Sequence, residues 1–156
     1  MRIVLAVVAT VLAPFWVWAQ DGSGACLISR DEFATLSGRS AYTDPESMPW
    51  GSGAVCGYDG GQIILFSGET AMANLEHLLD SFGAGGNRVP VPDLGAEAYA
   101  FFVEAENKYQ DHGTFVAFSA GPHAVGVTVY ADDGQPAETA LPKAVTVAKA
   151  VHAALP

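Results

Sequence analysis

Residues 54–67 read Ala-Val-Cys-Gly-Tyr-Asp-Gly-Gly-Gln-Ile-Ile-Leu-Phe-Ser, two apolar runs divided by Asp59-Gly60-Gly61. Short runs of branched and aromatic side chains bounded by turn-formers read as strands. The Asp-Gly step predicts a tight hairpin in which glycine supplies the positive φ that the favoured turns need. Residues 54–58 and 62–67 are thus expected to pair, and hairpin pairing commits the chain to an antiparallel sheet.

Directly after this pair the period changes. Met72, Leu75, Leu78, Leu79 and Phe82 recur at steps of three and four, the apolar face of a helix over about residues 69–82. Ser67 is its candidate N-cap, and Gly83 its stop. Gly83, Gly85 and Gly86 follow a helix and precede no Gly-Lys-Ser/Thr, so they read as a link and not as a phosphate loop. Prolines stiffen residues 89–95. Three further strands are predicted at 98–106, 114–119 and 123–130, with hairpin connectors at 107–113 and 120–122. Val125, Val127 and Val129 alternate with Gly126, Thr128 and Tyr130, which predicts one buried face. A last helix is expected over 142–155, with Pro142 in its first turn and Leu141, Val145, Ala148, Val151 and Leu155 as its stripe.

Toward the N-terminus, Ser29 and Glu32 form a capping-box pattern, and Ile28 with Phe33 can staple it. The short helix so marked covers residues 30–37 and ends at Gly38. Residues 39–53 then read as one long loop, rich in Pro, Gly and Ser yet carrying Tyr42, Met48 and Trp50. Long loops in compact domains are often functional. Two roles are open for these side chains: Met48 and Trp50 fold back over the core, or the three form a binding surface. The resulting order, α-β-β-α-β-β-β-α, predicts an α+β two-layer sandwich: a five-stranded antiparallel sheet with its helices on one face.

The 156 residues are half apolar and suit one domain. A charged content of 15% argues against disorder, and a net charge of −10 argues against nucleic acid and anionic lipid as partners. Arg2, the run 3–18, apolar apart from Thr10, and Val17-Trp18-Ala19 have the form of a secretory signal cut after Ala19. The expected organisation is a signal peptide at 1–19, a short linker at 20–25 and a single domain at 26–156. The mature chain would start at Gln20, without stable membrane insertion, in the periplasm or outside the cell. Cleavage removes only Arg2 among the charges and makes the balance more negative. In an exported chain the two cysteines, Cys26 and Cys56, are expected to form one disulfide. They make no C-x-x-C motif and cannot build a zinc site alone.

Cys26-Leu27 before a short helix, Cys56-Gly57-Tyr58 on the first hairpin and 94–99, Leu-Gly-Ala-Glu-Ala-Tyr, ahead of a central strand make a recognisable layout, completed by the closing helix. Over nearly all of residues 26–155 it resembles small exported bacterial domains of unknown function, many of them actinobacterial lipoproteins. The chain departs from the lipoprotein members at Ser23, where a lipidation signal wants leucine, and in the polar residues 20–23. More distantly it is similar to extrinsic photosystem subunits of the PsbP type, which are protein-binding accessories. The resemblance implies a fold and an exported compartment, and brings no activity.

Chemistry-bearing patterns are sparse. His112 adjoins Asp111 and follows Glu104 and Glu106, a set that could ligate a divalent cation or form a solvated acidic tip. His77 and His152 lack a companion at helical ligand spacing, and His123 is expected at the far end of its strand from Asp132 and Asp133. No G-x-S-x-G elbow occurs; Gly51-Ser52-Gly53 and Gly22-Ser23-Gly24 lack its strand-turn-helix context. The expected function is an exported, non-catalytic binding or accessory module without cofactor, contacting a protein or small ligand through residues 39–53. The alternative is a small metal-dependent or hydrolytic envelope enzyme using His112.

Overall fold

The computed structural model describes residues 22–83, 88–104 and 111–156. The expected signal segment and Glu106 lie outside them. Helix α1 (Arg30–Ser37) is followed by strands β1 (Glu46–Trp50), β2 (Gly53–Tyr58) and β3 (Gly61–Ser67), then helix α2 (Ala71–Gly83). The chain continues through β4 (Val89–Pro90), β5 (Tyr99–Val103), β6 (Gly113–Ala120) and β7 (His123–Tyr130) to helix α3 (Leu141–Ala154). All strands pair antiparallel in the order β1-β2-β3-β7-β6-β5-β4. Two meanders, each followed by a helix, are thus zipped together where β3 meets β7.

The class is α+β with an antiparallel sheet, but the sheet has seven strands and not five. The two additions are edge strands in segments read as loop. β1 lies inside residues 39–53, and β4 lies in the proline-stiffened stretch. Each contains a proline, Pro49 and Pro90, which an edge strand tolerates because one side has no ladder partner. A two-residue turn, Gly51-Ser52, joins β1 to β2, with Gly51 at φ +58. The positive φ expected at the Asp59-Gly60 turn is absent there. That hairpin forms, from Tyr58 to Gly61, but glycine serves it differently. A Cβ on Gly60 would meet the Arg39 side chain, and one on Gly61 would lie 2.0 Å from the Thr128 carbonyl oxygen.

The helices do not share a face, so the two-layer arrangement is also corrected. Alternate residues of the same strands feed two cores. Ile63, Val116, Phe118, Val125, Val127 and Val129 pack with Phe33 of α1 and with Ala144, Val147, Ala148 and Val151 of α3. Ile64, Phe66, Phe101, Phe115, Ala117 and Ala124 pack with Ala71, Leu75 and Leu78 of α2. The result is three layers, with β7 buried on both faces. Gly126 and Thr128, read as its solvent side, lie under α2, where a Cβ at Gly126 would be 2.6 Å from the Phe115 ring. Ser67 is not the cap of α2; it belongs to β3 and faces His123 across the ladder.

Helix α1 follows its local code. The Ser29 hydroxyl accepts the Glu32 N–H at 3.2 Å, Gly38 takes the left-handed conformation, and Ile28 and Phe33 share the α1/α3 core. The Phe33 ring stacks on Tyr58 at 4.1 Å, and the Tyr58 hydroxyl donates to the Ile28 carbonyl at 2.8 Å. Burial pushes the Tyr58 phenol up to about 12. Cys26 is bonded to Cys56, which ties the segment before α1 to β2.

Asp59 organises the chain between α1 and β1. Its carboxylate accepts the Thr43 hydroxyl at 2.7 Å, the Thr43 N–H at 2.9 Å and the Tyr42 N–H. These bonds, the Thr43 hydroxyl first, hold Asp59 below its ordinary 3.8. A depressed folded value means that the stabilisation is complete above the unfolded value and fades as pH falls through the folded one. The difference in urea midpoint between wild type and Asp59→Asn should therefore be widest near neutrality and close as pH drops below 3.8. A difference independent of pH would show that the charge does not hold this loop.

Candidate interaction surface

Strands β1 and β2 are dressed differently on their two sides. On the α1/α3 side, Ser47 stands opposite Cys56, and a 3-10 turn at Gly22–Ala25 packs over both strands. On the α2 side, period two places Glu46, Met48 and Trp50 beside Gly57, Val55 and Gly53. Helix α2 packs on β5, β6, β7 and the rim of β3, so β1 and β2 extend beyond it. This part of the sheet face lies open.

Trp50 is 43% exposed and Met48 49% exposed, so neither plugs the core. The Trp50 indole leans on Phe66, with ring centroids 5.7 Å apart and planes tilted by 40°. Its backbone is held at both ends. Trp50 pairs with Gly53, and Asn74 Nδ2 of α2 donates to Ser52 Oγ at 3.1 Å and to the Thr70 carbonyl at 2.8 Å. Aromatic side chains on a fixed backbone bring much contact area at little ordering cost.

Tyr42 is 82% exposed but does not join this group. It sits at the Asp59 turn, the opposite end of β2 from Gly53, roughly 20 Å away at the rise of a strand. Phe66, buried in the α2-side core, and the half-buried Val55 packed against that core form the floor beneath Met48 and Trp50. One signal could have found β1. Met48 and Trp50 alternate with Ser47 and Pro49, and Gly51-Ser52 is a favoured two-residue hairpin turn.

The other chemistry-bearing residues remain dispersed. His112 Nδ1 lies 2.6 Å from Glu104 Oε2, both side chains partly exposed. Among the described residues no three His, Cys, Asp or Glu side chains converge on a metal position, and Glu106 lies outside them. His123 Nδ1 is 2.8 Å from Ser67 Oγ, a cross-strand bond with no carboxylate on the imidazole among the described residues. Asp132 stands beyond the far end of β7 and pairs with Arg39 and Lys143. His77 is exposed on α2, and His152 on α3 tilts against Phe118. A small concavity among Arg30, Phe33, Arg39, Tyr58 and Asp59 encloses about 10 Å³, room for roughly one water. No helix among the described residues is long and apolar enough to cross a membrane.

Fold and surface together define a disulfide-bonded, three-layer α+β domain with an open aromatic sheet margin. Comparison with known proteins returned no matching family model, no matching curated protein and no matching solved structure.

Proposed function

We propose that this chain is an exported, non-catalytic binding or accessory domain that docks a protein partner on the open side of β1 and β2. The observation that carries the reading is Trp50, half-exposed on a Phe66 floor and framed by the β1–β2 pairing and the Asn74 hydrogen bonds. Tryptophan is enriched among residues that dominate binding energy, and exposed aromatic surface on a rigid frame is suited to contact. The secretory form of residues 1–19, the disulfide and the resemblance to exported bacterial domains support an envelope or extracellular setting.

Trp50→Ala supplies the test. Because the indole is 43% exposed, the folding loss should stay below about 2 kcal/mol, short of the 3–5 typical of a buried tryptophan. Capture of a defined envelope partner should fall by about 30-fold or more, the equivalent of roughly 2 kcal/mol at a central anchor. Thermal melts and quantified capture read the two effects separately. A collapse in melting temperature, or capture equal to wild type, rejects the docking role.

A further inference from the structure

The described basic side chains are all committed to acidic partners. Arg30 pairs with Asp31 at 2.9 Å and Asp44 at 3.1 Å, Arg39 with Asp132 at 3.6 Å, and Arg88 with Asp80 at 3.7 Å. Lys143 reaches Asp132 at 3.2 Å and Lys149 reaches Asp93 at 2.6 Å. The excess of acid in a chain of net charge −10 is therefore left without internal counter-charge. Part of that excess frames the open sheet margin.

Glu46 is exposed on β1, two and four residues before Met48 and Trp50 and on their face. Glu69 is exposed at the other end, next to Thr70, which shares Asn74 with the Ser52 turn that follows Trp50. Neither glutamate has a cation partner among the described residues. An apolar strip of Met48, Trp50 and Val55 is thus bracketed by uncompensated carboxylates. Complementarity of charge selects the partner and speeds encounter, while the strip supplies contact area. A lysine or arginine lying over the indole face gains a cation–π attraction besides.

We infer that the occupant of this surface is a cationic, partly apolar segment of a partner protein, seated between Glu46 and Glu69 with its apolar side chains on Trp50. This inference rests on the docking reading above and names the partner's chemistry. A second copy of the chain is disfavoured, because it would bring the same acidic margin to the contact.

The protein carries its own reporter. Trp50 is the only tryptophan after residue 18, so in protein cleaved after Ala19 its emission reads this surface alone. The probes are three short synthetic peptides alternating leucine with lysine, with serine or with glutamate. The lysine peptide should shift Trp50 emission to shorter wavelength and bind about tenfold more weakly when salt rises from about 50 to about 500 mM. The double variant Glu46→Gln/Glu69→Gln should weaken that peptide about tenfold with an unchanged melting temperature, while Glu32→Gln on α1 leaves it alone. Equal weakening by Glu32→Gln would reduce the effect to general charge attraction and overturn the inference. Equal, salt-insensitive binding of the serine peptide would overturn the cationic partner and leave docking intact. A blue shift that grows with protein concentration, with a dimer in sedimentation, would put a second copy there instead. No response to any peptide would overturn the inference, while the Trp50→Ala capture experiment separately decides the docking surface.

Discussion

Replacing Cys26 and Cys56 together by alanine should lower folding stability by roughly 3–4 kcal/mol. The bridge closes a loop between residues 30 positions apart, so its removal returns that loop's freedom to the unfolded chain. Its position adds to the effect. Cys56 is fully buried on β2, and the segment it anchors carries the Gly22–Ala25 turn that covers β1 and β2 on the α1/α3 side. For a domain of this size the melting temperature should fall by about 10 °C or more. Scanning calorimetry of the oxidised protein, the reduced protein and the double variant tests it, and the last two should melt together. A shift of a degree or two would mean that the sheet holds this segment without the bond.

Gly61→Ala should destabilise by about 3 kcal/mol or more, at the upper end of overpacking, whereas Gly60→Ala should cost less, about 1–2 kcal/mol. Both glycines stand at the β2–β3 turn, and neither has a positive φ, so conformational strain does not separate them. Space does. A Cβ at Gly61 would sit 2.0 Å from the Thr128 carbonyl oxygen and 2.9 Å from the Phe33 ring, against backbone that pairs β3 with β7. A Cβ at Gly60 would lie 2.6 Å from Arg39 Cγ and 3.0 Å from Arg39 Cβ, so Arg39 must shift with its own stretch of chain, but no sheet ladder stands in the way. Relief at Gly61 requires the two meanders to separate at their seam; relief at Gly60 requires a local shift of Arg39, whose guanidinium is held by Ala131 and Asp132. Urea unfolding of the two variants decides the matter, and equal losses would contradict the packing argument.

The legible parts of this fold are those governed by neighbours in the chain. Ser29, Glu32 and Gly38 mark α1 to the residue, because caps act on amides within one turn. The strands from Gly53 to Ser67 and from Gly113 to Tyr130 were readable to within a residue at each end from apolar runs and turn-formers. The edge strands were not, since their prolines lower strand propensity and the partner strand supplies the stabilising contacts. Of the site, Met48 and Trp50 were visible as apolar residues in a polar stretch. Their company was not: Phe66 lies 16 residues further on, and Tyr42 is near in sequence but distant on the sheet.

The sequence by itself determined the mixed α+β class, the antiparallel hairpins, the ends of the first helix and, with Cys26 and Cys56 its two cysteines, their pairing. Each follows from short-range periodicity, capping, turn chemistry or the number of cysteines. Only the tertiary structure decided that β3 joins β7, that α2 covers the sheet face opposite α1 and α3, and that β1 projects past α2 with Trp50 uncovered. The reason is physical. A glycine or threonine in a strand has no intrinsic side; Gly126 and Thr128 become core when α2 packs over them, and Met48 and Trp50 stay exposed because that helix ends its coverage at β3.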